Sequence, residues 1–374
     1  MFKKQIWRAG QTFAFAFQRL FLVLGFSACF LSCSIKNKVW KDDEIRVKKY
    51  SDFIQSADSY LQESDFQGTV LIARKNKIIF AKGYGFCNEK SENHEKNTIH
   101  TTYEAGSLTK QLTAAAIMQL VQNHKISLKD KVSKYFPDFE HGDKITIKML
   151  LNMRSGLTDC INAADDFFPK KVYRSLEAKQ LACQSVDENI VFDYLNKAPV
   201  IAKPDSTYFY CNTNYIILAR IIEQVSGESF EKYLQKNILE KCGMNDSNLE
   251  FQKTDAIGYD YKGRYYSIPK PLAKGCGDLN SNVTDLFKWR VLLTDGKVVK
   301  KSSFKKMIKT ESYGFGLNRN GKLIFHGGTT NVFNSYMSYN MKTKITVIVL
   351  VNRPISKTNA TIVAGKLNKI WNEQ

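Results

Sequence analysis

Gly106-Ser107-Leu108-Thr109-Lys110 directly precedes an apolar run of helical period, residues 111–122. Serine and lysine three residues apart on the first turn of a helix lie on one face, one above the other. An amine buried beside a hydroxyl can accept its proton, because desolvation favours the neutral amine. The pattern is therefore one way to make a serine nucleophilic without histidine.

Ser-x-x-Lys alone is a weak signal, because solvated helix faces also contain it. Ser302 with Lys305 and Ser303 with Lys306 fit the pattern in a lysine-rich stretch that has no site-like residues around it. Two further motifs, which follow Ser107 in order, supply the context that a surface helix lacks.

The second motif is Tyr210-Cys211-Asn212, just before a helix predicted over about 214–225 and closed by Gly227. A phenol relays protons where a neighbouring cation lowers its pKa, and an amide orients a carbonyl group or a lysine. Tyr194-Leu195-Asn196 fits the same pattern, and we interpret it as a buried tyrosine with a turn asparagine.

The third motif is His326-Gly327-Gly328, the only His-x-Gly in the chain. Two glycines beside a strand let a ligand approach the backbone closely. A cation and backbone N–H groups on an edge strand can hold a carboxylate or an oxyanion. The alternative is a hairpin turn with an isolated histidine.

In this order the motifs resemble the serine β-lactamase and penicillin-binding protein superfamily, specifically its branch similar to class C β-lactamases and D,D-peptidases. The resemblance runs from about Gly68 to the C-terminus. It includes Gly68-Thr-Val-Leu-Ile-Ala-Arg with Lys77-Ile-Ile-Phe-Ala-Lys-Gly-Tyr-Gly, Leu150-Leu-Asn-Met-Arg-Ser-Gly-Leu-Thr, Cys242-Gly-Met and Gly314-Phe-Gly-Leu.

The resemblance implies a role for each motif residue. Ser107 is the nucleophile, Lys110 activates it, and Tyr210 shares proton transfer as base and then as acid. Asn212 positions the substrate and Lys110. The backbone N–H groups of Ser107 and Thr329 form the oxyanion hole.

His326-Gly327 stands where many relatives have the Lys-Thr of Lys-Thr-Gly. The resemblance implies that His326, with Gly327 and Gly328, binds a substrate carboxylate or steers protons. Histidine has a reference pKa of about 6.5, so a permanent cation is missing at pH 7. This departure disfavours an efficient β-lactamase and favours peptidase or esterase chemistry.

Residues 1–33 indicate a lipoprotein-type export signal. A positive segment precedes an apolar core, 20–33, that is shorter than the roughly 20 residues of a comfortable transmembrane helix. Its end resembles a bacterial lipobox, in which Cys33 is preferred over Cys29 as the lipidated residue because polar residues follow Cys33. An uncleaved signal anchor is the alternative. We expect an enzyme on the membrane surface of the bacterial cell envelope.

Residues 34–50 are predicted to be a tether, and 51–374 one hydrolase domain of α+β class. Strands at both ends of this domain, about 68–84 and 312–351, flank a mainly helical subdomain, about 110–265. This order predicts one antiparallel sheet built from both ends of the chain, with helices on its faces. The site is expected between the sheet and the helical subdomain. The irregular stretch 160–200 could form a lid or wall over the site. Its Phe167-Phe168 could then touch substrate, and the favoured alternative is that they pack on the surface.

The net charge of +19 raises the question of a nucleic-acid partner. The lysines are scattered, no basic-aromatic motif accompanies them, and the export signal argues against that class. Attraction to anionic lipid heads or wall polymers suits an exported chain better, and a lysine-biased proteome is the plain alternative.

Six cysteines follow residue 33, without Cys-x-x-Cys spacing, and the five histidines lack metal-ligand spacing. We therefore expect no metal and no cofactor. Cys160 and Cys183 bracket one insertion and are predicted to pair in the oxidising exterior.

These observations predict an exported, lipid-anchored serine hydrolase that works through an acyl-enzyme on Ser107. The expected substrates are D-amino-acid peptides of the cell wall, or small esters and amides, with slow acylation by β-lactams. The alternative is a non-catalytic wall-binding or penicillin-binding lipoprotein, which would not need Ser107, Lys110, Tyr210 and Asn212 together.

Overall fold

A computed structural model describes residues 35–162, 169–171, 174–175, 186–250, 252–259, 263, 268–353 and 357–374. The chain divides into two compact units, 1–40 and 41–374, and only 35–40 of the first unit are described. The export signal with Cys29 and Cys33, the Phe167-Phe168 pair and Cys183 lie outside the described residues. Within the described ranges no helix is both long and apolar enough to cross a bilayer.

The second unit is built on an antiparallel sheet of seven strands. They are β1 (Ile45–Arg46), β2 (Gly68–Arg74), β3 (Lys77–Tyr84), β6 (Asn318–Asn320), β7 (Leu323–Thr329), β8 (Asn334–Asn340) and β9 (Ile345–Val351), and they lie in the order β1-β3-β2-β9-β8-β7-β6. The β2–β9 ladder joins the two ends of the chain, from Gly68 opposite Val351 to Arg74 opposite Ile345. The predicted sheet from both ends of the chain is therefore confirmed. A separate pair, β4 (Tyr103–Glu104) and β5 (Asn280–Ser281), forms a two-stranded sheet.

The strand sequences follow from their positions in the sheet. Central β9 reads Ile-Thr-Val-Ile-Val-Leu-Val and is buried at every residue, as expected for a strand covered on both faces. Near the edge, β7 alternates: Ile324, His326 and Gly328 are buried, while the residues between them are half-buried. This period of two places His326 and Gly328 on one face.

Helices cover the sheet. α1 (Ser51–Glu63) and α11 (Ala360–Asn372) pack on the face that carries Val70, Val347 and Val349 and form a continuous apolar core with it. Further helices in the described ranges are α2 (Thr109–Gln122), α3 (Ile147–Leu151), α4 (Glu188–Leu195), α5 (Asn212–Ser226), α6 (Phe230–Leu234), α7 (Glu240–Cys242), α8 (Lys270–Ala273), α9 (Val283–Thr294) and α10 (Lys301–Met307).

Local signals explain where α3 begins and where α5 ends. The Thr146 hydroxyl accepts from Met149 N at 3.3 Å and caps α3. Gly227, with φ of 71°, ends α5 in the left-handed conformation that glycine adopts at low cost. α5 starts at Asn212, two residues before its predicted start.

The stretch predicted as a tether contributes to the fold at its C-terminal end. Ile45–Arg46 pair with Phe80 and Ala81 of β3. Arg46 Nη2 donates to Asp58 Oδ2 on α1 at 2.6 Å, and Lys82 Nζ donates to Asp58 Oδ1 at 3.0 Å. These contacts join residues far apart in sequence, so no local pattern indicates them.

We expect Leu367→Ala on α11 to lower the free energy of unfolding by about 2–5 kcal/mol, because it removes a buried side chain from the core between α11 and the sheet. Ile362→Ala on the same helix is the matched control, since Ile362 is 47% exposed. Denaturant unfolding measures both changes. Equal effects of the two substitutions would contradict this account of the core.

Candidate active site

Ser107 and Lys110 lie where the backbone enters α2. Ser107 is on a 3-10 turn, Gly106–Leu108, and Lys110 is in the first turn of the helix. Lys110 Nζ donates to Ser107 Oγ at 3.0 Å. Ser107 is half-buried and accessible from the cavity, whereas Lys110 is fully buried beneath it.

The buried Lys110 amine has three hydrogen-bond acceptors. Besides Ser107 Oγ, they are Asn212 Oδ1 at 2.7 Å and the Cys276 carbonyl oxygen at 2.8 Å. An ammonium group has three N–H donors, so this set satisfies the charged form.

The environment of Lys110 keeps it protonated. Burial lowers the pKa of Lys110, but the neighbouring Tyr210, Cys276 and Asp159 groups outweigh burial, and the pKa is raised overall. The raised pKa of Lys110 runs opposite to the effect of desolvation, on which the sequence-based expectation of a neutral amine rested. The expectation considered only the burial of the amine. It did not include the neighbouring groups that raise the pKa of Lys110 in the folded protein.

Tyr210 lies directly before α5 and faces the serine from the other side. Its hydroxyl donates to Ser107 Oγ at 2.9 Å. Lys110 Nζ lies 4.9 Å from the centroid of the Tyr210 ring, within cation–π distance. The ring also packs edge-on against Tyr313, with centroids 5.8 Å apart. The second Tyr-x-Asn, Tyr194-Leu195-Asn196, lies at the C-terminal end of α4 instead.

Asn212, the first residue of α5, connects Lys110 to a carboxylate that the sequence analysis missed. Its Nδ2 donates to Asp159 Oδ1 at 3.2 Å and Oδ2 at 3.0 Å. Asp159 directly follows the Leu150–Thr158 segment that carries part of the family resemblance. Its position next to that segment was the sequence signal that could have indicated Asp159. No local pattern, however, links Asp159 to Asn212, more than fifty positions away.

His326 projects from β7 beside Tyr210, with both ring nitrogens occupied. Nδ1 lies 2.6 Å from the Gly327 carbonyl oxygen, which can only accept, so Nδ1 carries the proton. Nε2, at 3.1 Å from the Tyr313 hydroxyl, then accepts from it. Tyr313, next to the Gly314-Phe-Gly-Leu segment, is a second residue that the sequence analysis missed.

His326 is neutral at physiological pH. Burial, followed by the positive charge of Lys110, lowers the pKa of His326 to about 3. A neutral imidazole whose nitrogens are both engaged offers no cation to a substrate carboxylate. The structure therefore does not support the expected carboxylate-binding role of His326.

Close backbone contact brings the two expected oxyanion-hole donors together. A Cβ at Gly106, whose φ is +53°, would lie 3.1 Å from Thr329 N, and a Cβ at Gly328 would lie 3.0 Å from Ser107 N. Ser335 Oγ donates to the Ala105 carbonyl oxygen at 2.7 Å and ties β8 to the same segment. Glycine at both positions lets the backbone at Ser107 approach that at Thr329.

These residues border a cavity of about 320 Å³. Its described lining consists of Ser107, Ile161, Asn162, Tyr210, Asn212, Ile268, Ala273, Cys276, Gly277, Asn318, His326, Gly327, Thr329 and Thr330. No Asp, Glu, Lys or Arg belongs to this described lining. In the described ranges there is also no group of three or more His, Cys, Asp and Glu side chains that could hold a metal ion.

Three cysteines lie buried around the site as free thiols: Cys160, Cys211 and Cys276. Burial raises the pKa of both Cys211 and Cys276 to about 12, so neither is a reactive thiolate at neutral pH. Because Cys160 is a free thiol, its predicted pairing with Cys183, which lies outside the described residues, is not observed.

A serine that contacts a buried lysine and a tyrosine, at the edge of an antiparallel sheet built from both ends of the chain, defines a serine hydrolase of the penicillin-binding protein fold. The chain belongs to the Beta-lactamase family, whose profile matches residues 53–365.

The chain is similar to named relatives over most of its length. It is 28% identical over 351 residues to the protein named "Putative penicillin-binding protein PbpX" of Bacillus subtilis (strain 168), covering 91% of this chain and 84% of that protein. The structure of FmtA from Staphylococcus aureus superposes with a TM-score of 0.74 at 26% identity, covering 92% of this chain and 95% of that one. D-amino acid amidase from Ochrobactrum anthropi SV3 shares the fold, with a TM-score of 0.72 at 19% identity over 87% and 99% of the two chains.

We expect Gly328→Ala to slow acylation of Ser107 by about a hundred- to thousand-fold, the typical effect of losing one oxyanion donor. The added Cβ would overlap the Ala105 carbonyl oxygen and Ser335 Oγ, which forces β7 away from Ser107. Gly327→Ala is the matched control, because its Cβ would meet only the Ser335 carbonyl oxygen, at 3.6 Å. Rates of labelling by a fluorophosphonate probe measure both, and equal rates in the two variants would contradict the assigned donors.

Proposed function

We propose that this protein is an exported, lipid-anchored serine hydrolase that forms an acyl-enzyme on Ser107 and acts on D-amino-acyl esters and amides of the cell envelope. The observation that carries the proposal is the double contact of Ser107 Oγ, with Lys110 Nζ at 3.0 Å and Tyr210 OH at 2.9 Å. A serine between an amine and a phenol has the partners that nucleophilic catalysis requires.

Proton transfer starts from the Lys110–Tyr210 pair. We propose that the reactive form of the pair holds one titrating proton, and that this proton stays on the amine, whose hydrogen bonds Ser107 Oγ, Asn212 Oδ1 and the Cys276 carbonyl oxygen accept. The Tyr210 oxygen is then the acceptor for the Ser107 proton. Lys110 stays charged throughout, and it stabilises the negative charge on the Tyr210 oxygen before the transfer and on Ser107 Oγ as its proton leaves.

Acylation and deacylation use the same groups twice. Ser107 Oγ attacks the carbonyl carbon, and the oxyanion is held by the N–H groups of Ser107 and Thr329. The leaving group departs with the proton held by Tyr210. Water then attacks the ester carbon and gives a proton to Tyr210, which returns it to Ser107 as the acid product leaves.

The charge of the cavity supports substrates without a free carboxylate at the His326 end. A D,D-carboxypeptidase substrate and a β-lactam both carry a carboxylate, which needs a cation. His326 is neutral, and the described lining has no Lys or Arg. Among the two substrate groups expected from the sequence, this favours esters and amides over peptide acids.

The placement in the envelope rests on the sequence of residues 1–33 and on the relatives. One relative is named as a penicillin-binding protein, and the Ochrobactrum relative is named for D-amino acid amides. A lipid anchor at Cys33 would hold the hydrolase at the membrane surface, within reach of wall polymers.

The intact-protein mass after incubation with a penicillin, together with turnover of a D-alanyl ester, tests the proposed nucleophile. We expect an adduct and turnover in the wild type and neither in Ser107→Ala, with thermal unfolding showing that the variant keeps the fold. Turnover at wild-type rate in Ser107→Ala would remove Ser107 from the mechanism. A wild type that hydrolyses no ester and forms no adduct would point to the wall-binding alternative.

A pair of substrates tests whether a cation binds the substrate carboxylate, since the described lining contains none. We expect a D-alanyl-D-alanine peptide with a C-terminal amide to be hydrolysed at least as fast as the same peptide with a free carboxylate. The ratio should stay constant from about pH 5 to 8, because His326, with its pKa near 3, remains neutral throughout that range. A strong preference for the acid that fades as pH rises would show that His326 is charged and binds it.

A further inference from the structure

Asp159 is a buried carboxylate behind the site, and its two oxygens accept hydrogen bonds from neighbouring residues. Its residue is 3% exposed. Oδ1 accepts from Ile161 N at 2.9 Å, Oδ2 accepts from Asn162 Nδ2 at 2.7 Å, and both oxygens accept from Asn212 Nδ2. Asp159 is absent from the described lining of the cavity, so its effect on a substrate must pass through other residues.

The two ends of the Asn212 amide are chemically different, and Asp159 decides which end faces Lys110. A carboxylate only accepts, so it selects the Nδ2 end of the amide. Oδ1 is thereby directed at Lys110 Nζ, 2.7 Å away. A reversed amide would place Oδ1 against the carboxylate and an N–H donor against the ammonium, which loses both bonds.

We propose that Asp159 is a positioning residue of this site: it fixes the orientation of the Asn212 amide and thereby holds the Lys110 amine beneath Ser107. The inference rests on the proposed function and adds to it a buried relay, from Asp159 through Asn212 and Lys110 to Ser107. The relay also reaches the cavity wall, because Ile161 and Asn162 both line the cavity and bond to Asp159.

The charge of Asp159 supports the same role. From α5 and the residues before it, Lys110 faces Tyr210, Asn212 and the Tyr215 ring, whose centroid is 5.8 Å from Nζ. Cys276 faces it from the loop after α8, and neutral His326 from β7. Burial lowers the pKa of Lys110, and Tyr210, Cys276 and Asp159 raise it. Removing the Asp159 charge lowers this pKa. The limb of the pH–rate profile that reports Lys110 must then move to lower pH, whichever protonation state of Lys110 is the reactive one.

Asp159→Asn tests the proposal through the pH dependence of ester turnover and of Ser107 labelling by a fluorophosphonate. We expect kcat to fall roughly ten- to hundred-fold, as for other residues that orient a catalytic group, with KM little changed and the Lys110 limb at lower pH. Asp130→Asn is the matched control, because Asp130 is a carboxylate hydrogen-bonded to Ser127 N and Tyr135 OH outside the site. That variant should keep the rate and the profile of the wild type.

Two more variants separate positioning from folding. Asp159→Glu keeps the charge but displaces the carboxylate by one methylene, so we expect a lower rate with an unmoved limb; it decides the question if Asp159→Asn does not fold. In an Asn212→Ala background, Asp159→Asn should lower kcat little further, because Asp159 acts through Asn212. Fully multiplicative losses, or wild-type labelling by Asp159→Asn, would overturn the inference. A wild type that is not labelled at all would overturn the proposed hydrolase, and this inference with it.

Discussion

The fully buried Lys110 amine is the constraint on which the rest of the site depends. A charged amine without water must find an acceptor for each N–H, since an unpaired buried charge costs several kcal/mol. Lys110 obtains its acceptors from Ser107 on its own turn, Asn212 of α5 and the carbonyl group of Cys276 after α8. Three separate parts of the chain are thereby brought together around one atom.

The same requirement explains the pairing of Asp159 with Asn212. The Asn212 amide accepts from the Lys110 cation with its oxygen, so its N–H₂ group points the other way. The Asp159 carboxylate accepts the hydrogen bonds of that N–H₂ group. The positive and negative charges are thus separated by one amide rather than in direct contact. This arrangement keeps Lys110 directed at Ser107 instead of drawing it into an ion pair with Asp159.

His326 shows how a motif position can be retained with different chemistry. The period of two along β7 places it on the buried face, where desolvation and the Lys110 charge both oppose protonation. The Tyr313 hydroxyl and the Gly327 carbonyl group occupy its two nitrogens. A lysine at this position would bring a permanent charge to the cavity, whereas this histidine adds a neutral side chain to its described lining.

The sequence by itself determined the class of the fold, the order of the strands and helices, and the residues grouped around Ser107. Those features depend on residues close together in sequence: on apolar periods, on caps such as Thr146 and Gly227, and on short motifs whose spacing follows from helix and strand geometry. Only the tertiary structure decided the protonation of Lys110 and His326, the contribution of residues 45–46 to the sheet, and the parts played by Asp159 and Tyr313. Each of these depends on burial and on partners distant in sequence, and such contacts exist only once the chain has folded.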